Sequence, residues 1–149
     1  MGQEIETDHF TASDFTKYKK ILREETALLE SYFKEGLFSR NHGVGGFELE
    51  GWLTDENYMA APINEEYLEA LNDPMVGAEL AMFNVELNTT PHPLEGGALT
   101  LMEKELRERW KKCSDTAEEL DAKLLMIGIL PTVQSDELAP KNMSTMKRY

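Results

Sequence analysis

Gly46-Phe47-Glu48-Leu49-Glu50-Gly51-Trp52-Leu53 is the stretch whose reading decides the fold. Apolar and acidic residues alternate along it, which is the period of a β-strand. On a strand, Glu48 and Glu50 leave from one side with their roots roughly 6–7 Å apart, while Phe47, Leu49 and Leu53 take the other. Neighbouring carboxylates repel and raise each other's pKa. A hard cation such as Mg²⁺ removes that penalty, because it prefers oxygen ligands and supplies positive charge. The alternative is a solvated outer face of an antiparallel sheet, which also alternates apolar and polar.

A second stretch, Ala78 to Asn88, repeats the theme. Read as one strand, it aligns Glu86 with Met82, Asn84 and Asn88 and turns Phe83, Val85 and Leu87 the other way. The loop Thr89-Thr90-Pro91-His92-Pro93 follows. Two such strands side by side make a divalent-metal cradle. Glu79 lies an odd number of positions before Glu86, so either a bulge intervenes or Glu79 precedes the regular strand.

Outward from these strands the chain reads as helices. Ser13 or Asp14 to Glu35 is amphipathic: Phe15, Tyr18, Leu22, Leu29 and Phe33 recur at three- and four-residue multiples, with Ile21, Leu28 and Tyr32 widening the stripe. Ser13 or Asp14 caps its start and Gly36 closes its end. Residues 1–12 form a loose acidic arm. Ser39 to Gly46 is a glycine-bearing turn with no nucleotide fingerprint. Pro62 precedes a short helix capped by Asn64, with Tyr67, Leu68 and Leu71 inward, ended by Asn72-Asp73-Pro74. The longest helix opens at Gly96-Gly97 and runs to about Ile127. Its stripe is Leu99, Met102, Leu106, Trp110, Cys113, Ala117, Leu120, Leu124 and Ile127, which makes Cys113 a packing residue rather than a nucleophile. Gly128 ends the helix, and Ile129 to Val133 is an extended segment. His9, His42 and His92 share no metal-ligand spacing and read as loop or surface residues.

Composition narrows the function. At 149 residues, 41% hydrophobic and 29% charged, the chain has the make-up of one soluble globular domain. A net charge of −13 excludes nucleic acid as the expected partner, since phosphate binding needs clustered Lys and Arg. It disfavours anionic membranes on the same grounds. An acidic protein still binds ATP when metal ions mediate the contact. One cysteine forbids an internal disulfide and fits a reducing compartment. No secretory core and no membrane-spanning run is present, so the cytoplasm is expected.

Taken in order, Gly46 to Leu53, Glu79, Glu86-Leu87-Asn88-Thr89, Gly128-Ile129-Leu130-Pro131-Thr132, Asn142-Met143-Ser144 and Arg148-Tyr149 resemble the N-terminal part of bacterial glutamate–cysteine ligases. These are the γ-glutamylcysteine synthetases, or carboxylate–amine ligases. The likeness covers residues 43–149. It implies an α+β fold with a partial antiparallel sheet of the glutamine-synthetase type, packed by helices, one of them long and in the C-terminal half. It implies ATP-dependent amide-bond formation: the γ-carboxylate of glutamate attacks the terminal phosphate of ATP, and the amine of cysteine displaces phosphate from the resulting acyl phosphate. Glu48, Glu50, Glu86 and Glu79 would hold Mg²⁺. Asn88, Thr89, Thr90 and Arg148 would contact substrate. Family members are several hundred residues long. The chain is therefore expected to be a single-domain N-terminal segment of a larger ligase, inactive alone, and to associate as a homodimer or with a complementing C-terminal portion. Two alternatives stay open: a non-catalytic acidic binding or regulatory module of the same fold, and a carboxylate–amine ligase that uses another amine.

Overall fold

A computed structural model describes Ile5, Thr7 and residues 9–145. These fall into two compact units, one reaching Asn41 and the other spanning His42–Thr145.

The first unit is built on helix α1, Ala12–Glu35. Its ends are fixed locally. Thr11, and not Ser13 or Asp14, is the N-cap: the Thr11 hydroxyl accepts from the Asp14 amide while the Asp14 carboxylate accepts from the Thr11 amide, a capping box. Asp14 therefore serves as the third residue of the box and not as the cap. Its pKa lies below the ordinary value because Thr11 hydrogen-bonds the charged form. Phe10 packs its ring 6.3 Å from that of Phe15, stapling the entry. At the other end Gly36 takes φ +67°, and the Gly36 and Leu37 amides donate back to Phe33 and Tyr32, a left-handed closure that favours glycine. The apolar stripe predicted for this helix is present, yet no residue of α1 is buried.

The second unit is α+β. Its elements are β1 (Val44–Gly45), β2 (Glu48–Thr54), α2 (Asn64–Leu71), β3 (Val76–Ala78), β4 (Asn84–Asn88), β5 (His92–Pro93), α3 (Ala98–Glu119), β6 (Lys123–Leu125) and a 3₁₀ turn at Pro140–Asn142. Strands β1 and β5 pair antiparallel. The main sheet is antiparallel throughout, in the order β3-β4-β2-β6. Helices α2 and α3 cover one face, burying Leu53, Val85, Leu87, Leu124, Tyr67, Leu71, Cys113 and Ala117 together. The Tyr67 hydroxyl donates to the Cys113 carbonyl at 2.8 Å inside this core. Cys113 is fully buried, as its stripe position predicts, and burial pushes its thiol pKa up.

The structure departs from the sequence pattern in four places. Ala78 to Asn88 is not one strand: β3 and β4 form a hairpin whose turn carries Glu79 to Phe83. The long helix stops at Glu119, not Ile127. Asp121 turns left-handed at φ 54°, and Lys123–Leu125 pairs with the free side of β2. Leu124 continues the helical spacing by coincidence and is buried instead against Gly51, where a Cβ would stand 2.7 Å from its Cδ1. Ile129 to Val133 is a turn, closed by the Val133 amide on the Leu130 carbonyl, with Leu130 buried and no strand partner. Finally, Asn64 makes no cap. It is fully buried, and its Nδ2 reaches Ser144 Oγ at 3.1 Å and, at the margin of hydrogen bonding, the Ala81 carbonyl. Among the described residues no helix is long and apolar enough to cross a membrane.

Candidate functional site

The face of the sheet turned away from α2 and α3 carries the acids. Register pairs Glu48 with Asn88 and Glu50 with Glu86. The hydrogen bonds Leu53 N to Phe83 O and Thr89 N to Phe47 O fix the odd-numbered residues of β2 as the ladder-bonded ones. Glu50 and Glu86 are thus a non-hydrogen-bonded pair, the kind whose side chains stand closest. Glu48 and Glu50 are exposed, whereas Glu86 and Glu79 are half-buried.

Glu79 joins them from the β3–β4 turn. Because it lies outside both strands, the alternation that separated it from Glu86 does not apply. Burial raises its pKa, a hydrogen bond to Glu86 raises it further, and the charges of Glu86 and Glu50 act in the same direction; the Leu80 amide opposes them.

The turn that carries Glu79 is pinned by residues far away in sequence. Ser144 is buried, donates to the Glu79 carbonyl, and pairs its amide with Leu80 at 2.8 Å. The Met82 amide donates to Asn142, and Ala81 bridges Met143. Asn64 closes the group from α2. No local pattern marks Asn64 or Ser144 as supports of an acidic turn; their roles appear only once the hairpin folds back.

Beside the acids lies a cleft of ≈ 220 Å³ lined by Glu50, Trp52, Glu79, Phe83, Asn84 and Met143. Strand alternation sets Phe83, which is buried, on the side of Val85 and Leu87, away from Glu86. It precedes β4 and stacks on Trp52, with ring centroids 5.3 Å apart and planes inclined by 10°. The cleft is smaller than the ~300–1,000 Å³ usual for ligand pockets. A larger, apolar groove of ≈ 620 Å³ contains Phe47, Leu49, Leu106 and Trp110. It includes none of the four acids, so its size does not make it the better site for their chemistry.

Asn88 is buried and donates to Glu86 Oε1 at 2.8 Å, holding that carboxylate. The Thr89 hydroxyl is buried and accepts from the Phe47 amide at 2.7 Å, tying the end of β4 to the start of β2. Thr90 is exposed, and its amide donates to Glu105. Glu105 also meets His92 Nε2 at 2.9 Å, and these bonds hold its carboxyl below the ordinary range. Arg109 on α3 donates to the Asn88 carbonyl at 2.6 Å and lies 3.7 Å from Asp73. Arg148 lies outside the described residues.

The donor set suits a hard cation in kind, since carboxylate and amide oxygens share one face, where burial and then the neighbouring Glu86 and Glu50 raise Glu79's pKa. In arrangement it is not ready-made: among the described residues no group of three or more His, Cys, Asp or Glu side chains is disposed to hold a metal ion. Comparisons with protein families, with curated proteins and with solved structures returned no match to this chain.

Proposed function

We propose that the acid face of the β2–β4 ladder is the Mg²⁺-binding part of an ATP-dependent carboxylate–amine ligase of the glutamate–cysteine ligase type. The observation that carries the reading is the in-register pairing of Glu50 with Glu86, with Glu79 close enough for both to raise its pKa after burial does. The ordered motifs that resemble the family include the same acids and agree with it.

Glu50, Glu79 and Glu86 would hold the ion, with Glu48 at the rim. When bound, a divalent cation supplies the positive charge that lets phosphate and carboxylate anions approach one another. The chain's own residues prepare for that. Asn88 orients Glu86. Ser144 and Asn64 fix the turn that presents Glu79. Trp52 and Phe83 form an aromatic wall of the cleft, where an amino-acid-sized substrate such as glutamate or cysteine fits by volume. Glu79 would have to be ionised to hold a cation, and its pKa is raised by burial and by Glu86, so binding there would strengthen as pH rises. The lone cysteine, buried and unpaired, suits the reducing cytoplasm as the site of action.

The second reading, a non-catalytic acidic module, is favoured by the absence of a preformed ligand set among the described residues. Calorimetric titration with Mg²⁺ separates the ion-binding reading from a plain acidic face. The intact chain is expected to bind with millimolar affinity, and the Glu48→Gln/Glu50→Gln variant to give no heat of binding. Identical traces for both proteins would remove the metal role. ATP hydrolysis by the protein with a panel of amines then tests the ligase: turnover that needs glutamate and one particular amine supports it, and turnover indifferent to cysteine removes that substrate.

A further inference from the structure

The first unit poses a question that the acid face does not answer. Helix α1 has 24 residues, a capping box at one end and a glycine closure at the other, and no buried residue. Most helical stability in proteins comes from packing an apolar face, and this face is exposed: Tyr18 is 61% accessible, Leu29 56% and Phe33 75%.

Its pattern specifies what covers it. Phe15, Tyr18, Leu22, Glu25, Leu29 and Tyr32 alternate at steps of three and four, the seam of a coiled coil. Charge is divided along the same helix. The first half carries Asp14 against Lys17, Lys19, Lys20 and Arg23; the second carries Lys34 against Glu24, Glu25, Glu30 and Glu35. A basic half followed by an acidic half is complementary to itself only when two copies run in opposite directions. Parallel copies would set like charge beside like.

We propose that α1 is a self-association helix that pairs antiparallel with α1 of a second copy of this chain. Across the pair, Phe15 lies opposite Tyr32, Tyr18 opposite Leu29, and Leu22 opposite Glu25. Glu25 is the one polar residue of the seam and sits near its centre, where a polar group fixes register at a cost in stability. Opposed helix dipoles add a favourable term. The proposal is independent of the acid face, which lies in the other unit.

Sedimentation equilibrium of the full chain is expected to give a dimer that dissociates on dilution. Leu22→Glu/Leu29→Glu should weaken it at least about tenfold, the equivalent of roughly 1.4 kcal/mol. Trp52 and Trp110 both lie in the second unit, so unchanged tryptophan fluorescence verifies that the variant still folds there. Direction is read with a spin label on Ser13→Cys, the buried Cys113 being out of reach of the reagent. With about 1.5 Å rise per residue, antiparallel copies place the two labels about 30 Å apart and parallel copies about 10 Å. A monomer at every concentration, a dimer indifferent to the double substitution, or labels near 10 Å would each overturn the proposal.

Discussion

Replacing Glu50 with Gln should change stability in opposite directions with and without a divalent cation. Glu50 faces Glu86 as a non-hydrogen-bonded cross-strand pair, which brings the two Cα atoms to about 4.5 Å. Carboxylates about 5 Å apart repel by about 0.8 kcal/mol in a water-like medium, within the ~0.2–1 kcal/mol range for cross-strand pairs. Glu50 is exposed, so the water-like value applies. Without metal at neutral pH, Glu50→Gln should therefore stabilise the second unit by up to about 1 kcal/mol, a rise of about 4–8 °C in Tm at most for a unit of this size. With Mg²⁺ at about ten times its Kd, the wild-type chain gains about 1.4 kcal/mol and the variant gains little, so the order of the two melting temperatures reverses. Thermal melts in chelator and in Mg²⁺, followed by tryptophan fluorescence, read both orders. A variant that melts below wild type in chelator, or one that responds to Mg²⁺ as fully as wild type, refutes the reasoning.

Acid should act on the same cluster. Glu79 has a raised folded-state pKa, so the stability it contributes is fully present below its unfolded value and is lost as pH rises through the folded one. Glu79→Gln should flatten the stability–pH profile in that window, measured by urea unfolding across pH. Asp73 has the opposite sign: despite burial, the Met75 amide and Lys112 lower its pKa, so its contribution is lost as pH falls through the folded value, and Asp73→Asn should remove that acid-side loss. Gly51→Ala drives a methyl into Leu124 and should cost about 1–3 kcal/mol by overpacking, read from the urea midpoint. Tyr67→Phe removes a buried hydrogen bond to the Cys113 carbonyl, which keeps its place in the α3 ladder, and should cost about 0.5–1.5 kcal/mol in the same assay.

Where a segment carries its own stop and start signals, sequence alone determined the outcome. Helix α1 needs nothing beyond Phe10 to Leu37: cap, staple, periodicity and terminal glycine are contiguous, and only the cap itself, Thr11 rather than Ser13 or Asp14, needed the hydrogen bonds to decide it. The alternation of β2 likewise put Glu48 and Glu50 on one face, because a period of two admits no other arrangement on a regular strand. Tertiary structure alone decided the rest. Leu120 to Ile127 fits helix and strand equally by spacing, and the unpaired side of β2, with the space left by Gly51, settled the choice for Lys123–Leu125. Ala78 to Asn88 looks continuous, but its middle is folded back and held by Ser144 and Asn64. The bond from Ser144 to Glu79 spans 65 residues of chain and the one joining Asn64 to Ser144 spans 80, and a pattern read within a dozen residues contains no trace of contacts made across such distances.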